Sequence, residues 1–130
     1  MTLSIQHRFS SLALIAGLSL SGIVFAADPN LPADVGAVQD QWADIMYKTP
    51  KPQRAAALET LSKRAETARK AHPKDAGALI WEGIVLSSWA GEKGGVGALG
   101  LVKQARKDFE QAIAIEPNAL SGSAYTSLGS

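Results

Sequence analysis

The chain has 130 residues and no cysteine, and its 13 Lys and Arg stand against 12 Asp and Glu for a formal charge of +1. The missing cysteine excludes a disulfide scaffold and thiol chemistry. Near-neutral charge lacks the basic excess that nucleic acid demands, and this length allows one folded domain.

Residues 1–26 read as a secretory signal peptide. Arg8 supplies the positive start, residues 12–25 are uncharged and mostly apolar, and Val24, Phe25 and Ala26 place small residues at a cleavage site. The rival is a membrane span. A span needs about 20 apolar residues, whereas this run is shorter and interrupted by Gly17, Ser19, Ser21 and Gly22. Cleavage after Ala26 predicts a periplasmic, formally neutral mature chain starting at Ala27, and with no Cys after the apolar run a lipid-anchored form is excluded.

The periodicity of the remainder predicts helices. Val35, Val38, Trp42, Ile45 and Met46 recur at helical spacing behind Asp34, a candidate N-cap, and predict a first helix to about Tyr47. Thr49, Pro50, Lys51 and Pro52 stop it. Residues 53–72 predict a second helix with Leu58, Leu61, Ala65 and Ala68 on one face, ending ahead of Pro73. Residues 75–90 predict a third that is apolar nearly all round and therefore central. Its Trp81 and Trp89, like Trp42, are expected in the core rather than on a ligand platform. Residues 101–116 predict a fourth, with Val102, Ala105, Phe109, Ala112 and Ile113 inward, and a fifth begins near Leu120. No stretch sustains the alternation of a strand, so the expected fold class is all-α.

Charge is unevenly spread. Residues 28–47 carry Asp28, Asp34, Asp40 and Asp44 without a base, whereas residues 48–74 carry eight bases against Glu59 and Glu66. Neighbouring helices are expected to neutralise one another, the rival being a basic face for an acidic partner.

Lys63, Glu66, Ala68 and Pro73 recur as Lys107, Glu110, Ala112 and Pro117, each 44 residues on. Ala105, Phe109, Ala112 and Pro117 follow one another at 4, 3 and 5, and Tyr125, Leu128 and Gly129 then open another unit. On these residues the stretch 53–130 resembles a tetratricopeptide-repeat protein, in which small Ala sits where paired helices touch, Phe fills the gap and Pro ends the pair. The resemblance implies an antiparallel helix-pair solenoid over residues 27–130, with its best-matching repeat at 75–117 and the next beginning near 120. The family period is about 34 residues, which leaves ten over. Because Gly83 precedes Ala105 by 22, the excess falls on residues 91–100, half of them glycine, and predicts a flexible insertion between helices. The uncharged stretch 117–130 predicts a solenoid that continues past residue 130 and an open end that self-associates.

With Gly83 and Gly129 as packing glycines, the resemblance places a partner-binding groove at Ile80, Ile84, Ser87, Ser88, Ser123 and Thr126. Ile80 and Ile84 stand where carboxylate-clamping relatives use Lys and Asn, which argues against a chaperone-tail clamp. The implied function is an exported scaffold that binds a protein or peptide in the cell envelope; the alternative is an accessory solute-binding component beside a membrane transporter. No enzyme is expected. His72 is the one imidazole left once His7 is removed, and it falls at a helix end. Gly95, Gly97 and Gly100 spell G-x-G-x-x-G, but that fingerprint works at a strand-to-helix turn and here the preceding element is helical, so no cofactor or metal is expected.

Overall fold

A computed structural model describes Asp28 and residues 30–129; the leader and its cleavage site lie outside the described residues. These residues form five helices, α1 (Ala33–Lys48), α2 (Lys51–Ala71), α3 (Ala76–Lys93), α4 (Ala98–Ile115) and α5 (Ala119–Leu128), with no strand among them. Each helix packs on the next, and α3 also touches α1 and α5. Pairs from opposite ends fix the directions. Asp34 at the start of α1 meets His72 after the end of α2, and Arg54 near the start of α2 meets Glu92 near the end of α3. Helices α1 and α2, and α2 and α3, therefore run antiparallel, and the α2 bases Arg54 and Arg69 find their acids on α3 rather than on the acidic α1 that the charge blocks set against them.

Local chemistry sets the breaks. Thr49 and Pro50 are extended, with ψ of 132° and 138°, and Pro52 falls in the first turn of α2, where no N–H is needed. Asp75 caps α3 by accepting from the Ala78 N–H at 2.8 Å. Asp34 does not cap α1: the helix starts at Ala33, and the Asp34 carboxylate takes the Val35 N–H at 3.0 Å and the His72 ring at 2.8 Å.

Burial follows the predicted faces. Leu58, Leu61, Ala65 and Ala68 are the buried residues of α2, and eleven of the 18 residues of α3 are buried. Helix α3 belongs to both hydrophobic clusters: Val35, Val38, Leu61 and Ala65 pack on its Trp81 and Val85, while Ala105, Phe109, Ala112 and Ala124 pack on its Leu79 and Ile80. The α3–α4 contact depends on one missing side chain. A Cβ on Gly83 would stand 2.6 Å from the Phe109 ring, closer than carbon atoms approach, so glycine leaves the ring the space it occupies against α3.

One expectation is corrected. The inserted residues are not a free loop: 91–93 complete α3 and 98–100 begin α4, leaving four residues between the helices. Gly94 and Gly95 make the reversal at φ +63° and +71°, a left-handed region that glycine enters without strain. Helix α5 starts at Ala119, next to the expected Leu120, but Leu120, Ser121 and Gly122 sit at φ +48°, +57° and +77°, and continuous right-handed helix begins at Ser123.

These glycines should respond oppositely to Ala. Gly100 lies in α4 with open space at its Cβ position, so Gly100→Ala should stabilise by about 0.5–1 kcal/mol. Gly95→Ala forces Ala into the left-handed region and should cost about 1–2 kcal/mol. Urea unfolding of the two variants measures both.

Candidate functional site

The six groove residues do not share one surface. Ile80 is fully buried in the core and contacts no solvent, and Ile84 is half-buried between the two clusters. Ser88 is structural: its Oγ accepts from Trp42 Nε1 at 2.8 Å and donates to the Ile84 carbonyl at 2.8 Å, tying α1 onto α3. Ser123 Oγ donates to the Leu120 carbonyl, closing the turn that opens α5, while Thr126 is exposed on the same helix. Ser87 is exposed and lines a cleft.

That cleft, about 600 Å³, lies between α3, α4 and α5 and is lined by Ser87, Ala90, Val102, Phe109, Ser127 and Leu128. Sequence placed Val102 inward, yet it is 50% exposed and forms an outer wall. The i,i+4 pair of Arg106 and Glu110, 2.8 Å apart, sits on the rim. Leu99, Tyr125 and Leu128 add exposed apolar surface on α4 and α5. The periodicity missed the cleft because Val102 keeps the helical spacing of Ala105 and Phe109 whether or not another element covers it.

The tryptophans pack inward. Trp42 meets Trp81 edge-on at 5.7 Å between ring centres, and Lys93 lies 5.4 Å over Trp89. His72 follows α2 and joins it to Asp34 on α1. Among the described residues no group of three or more His, Asp and Glu side chains is placed to hold a metal ion, and no helix is long and apolar enough to cross a membrane. At the glycine motif, the Ala98 and Leu99 N–H groups already donate to the Gly95 and Val96 carbonyls at 3.2 and 3.1 Å. An anion at the start of α4 would have to displace those bonds.

Behind the cleft wall lies a feature that sequence reasoning passed over. Asp108 of α4 and Glu82 of α3 are buried, at 1% and 4% exposure. Arg69 of α2 pairs with Glu82, and Gln104 donates to Asp108 Oδ1 at 2.9 Å. Burial is the main cause that pushes both carboxyls upward, Arg69 opposing it at Glu82 and the Glu82 charge reinforcing it at Asp108, which is raised to about 7. The signal was present: Asp108 shares the face of Ala105, Phe109 and Ala112, and a charge on an apolar stripe is out of place.

Two adjacent serines should separate structure from surface. Ser88→Ala strips Trp42 of its acceptor and should cost about 1 kcal/mol, whereas Ser87→Ala should stay within about 0.5 kcal/mol; denaturant unfolding followed by Trp emission reads both. No family model, curated protein or solved structure matches the chain.

Proposed function

We propose that the chain is an exported helical-repeat scaffold of the tetratricopeptide type that receives a protein segment in the cell envelope. The observation that carries this reading is the cleft between α3, α4 and α5, whose walls are small or apolar, with charge confined to the Arg106–Glu110 rim. Exposed apolar residues gathered round a cleft mark an interaction surface rather than a random scatter. The repeat assignment is supported by Gly83 against Phe109, since a glycine facing a large ring is what the spacing of Gly83, Ala105, Phe109 and Ala112 calls for. The signal-like leader and mature neutrality support the location.

The cleft suits an extended or helical polypeptide that brings one or two apolar side chains to Val102, Phe109 and Leu128 and leaves its backbone polar groups at the open mouth. A solute-binding role is less favoured, because Trp42 packs edge-on against Trp81 and donates to Ser88, and neither ring lines this cleft.

Placing a photo-crosslinking residue at Val102, and separately at the exposed Glu59 of α2, tests the reading in producing cells. The scaffold role predicts a discrete polypeptide adduct from position 102 and none from 59. No adduct from 102, or the same adducts from both, would contradict it, and the mass of the recovered chain reports whether it begins at Ala27.

A further inference from the structure

The buried carboxyls of α3 and α4 are not balanced in charge. Oδ1 of Asp108 accepts from Gln104 Nε2 at 2.9 Å, but Oδ2 is buried without a partner. Glu82 faces the same interior and is paired with Arg69, whose side chain is about a quarter exposed (27%). Two carboxyls thus share a single close guanidinium. The other charges acting here are on α2, where Lys70 and Glu66 influence Glu82, and on α4, where Lys107 influences Asp108. Helix α5 brings no charge to the site, since residues 117–129 contain none.

A carboxylate whose second oxygen finds no donor is unfavourable in a low-dielectric interior, and a second negative charge nearby adds to the cost. Protonation removes the charge and leaves the Gln104 bond in place. We propose that seating α4 on α3 takes up one proton into the Glu82–Asp108 pair, so that α4 and α5 hold more firmly in mild acid than in mild alkali. Phe109 follows Asp108 directly and forms part of the cleft wall, so the same proton biases the shape of the cleft. That last consequence rests on the scaffold reading, while the proton linkage does not.

The sign follows from which state binds the proton. Asp108 is raised from 3.8 to about 7 on folding, so the folded protein holds more protons between these values. Its stabilising effect is complete below the lower value and is lost as pH rises through the upper one. The folding equilibrium constant should fall by up to about tenfold per pH unit in that interval.

Thermal and denaturant unfolding of the isolated protein from about pH 5.5 to about pH 8 tests the proposal in the wild type, Asp108→Asn and Asp44→Asn. The wild type and Asp44→Asn, whose changed group is on the surface, should lose stability across neutrality. Asp108→Asn should be nearly flat and outlast the wild type at the alkaline end. His72, paired with Asp34, is unchanged in all three proteins. A wild-type stability that is level or rising across neutrality, or an Asp108→Asn protein with the full wild-type loss, would overturn the proposal. Should Asp108→Asn fail to fold, carboxyl-carbon NMR of the wild type decides: an Asp108 midpoint near neutrality supports it, and one in the ordinary carboxylate range overturns it. Photo-crosslinking at Val102 can fail without touching any of these outcomes.

Discussion

Helices α3 and α4 approach each other because Gly83 has no side chain where the ring of Phe109 lies. Everything on the C-terminal side of α3 depends on that contact. With the ring against the α3 backbone, Ala105 and Ala112 come close enough to bury fully, and Ala76, Leu79 and Ile80 gain a lid. The same approach places Asp108 beside Glu82 and leaves Val102, one turn before Ala105, at the edge of the contact. A larger residue at position 83 would move α4 outward and widen the spaces that Ala105 and Ala112 now close, with the loss of dispersion contacts that follows any such gap.

Helix α3 can serve two cores at once because its sequence is apolar nearly all round, and its two flanks receive different partners. Towards α1 and α2 it offers Trp81 and Val85, with Ser88 holding the Trp42 indole. Towards α4 and α5 it offers Leu79, Ile80 and Gly83. The glycines after Lys93 let the chain turn back at once, so the inserted residues lengthen a helical hairpin instead of forming a loop.

The helices and the central place of α3 were legible because they rest on period and on proline breaks, which are local. The Gly83–Phe109 contact was half legible: the tetratricopeptide resemblance marked Gly83 as a packing glycine and Phe109 as a gap-filling ring, but did not pair them. The insertion was mistaken because glycine content was weighed as flexibility, whereas Gly91 and Gly100 continue helices on either side of the turn made by Gly94 and Gly95. The groove was only partly legible. Helical spacing put Ile80 and Ile84 on a common face, but which face of α3 meets water depends on where α1 and α5 settle, and that is tertiary. Asp108 and Glu82 escaped notice because a charged residue within an amphipathic helix is ordinarily solvated; only the approach of two other helices buries them. The left-handed opening of α5 carries one residue signal, Gly122, since Leu120 and Ser121 are not types that favour it.

The account stands or falls on Gly83 and Phe109 acting as one unit, and a double-mutant cycle measures that directly. Gly83→Ala alone should destabilise by about 1–3 kcal/mol through overpacking against the ring. In a chain already carrying Phe109→Leu, where the smaller side chain yields room, the same change should cost clearly less. An equal penalty in both backgrounds would show that the two positions are independent, and would contradict the account of how α4, the buried carboxyls and the cleft are held in place.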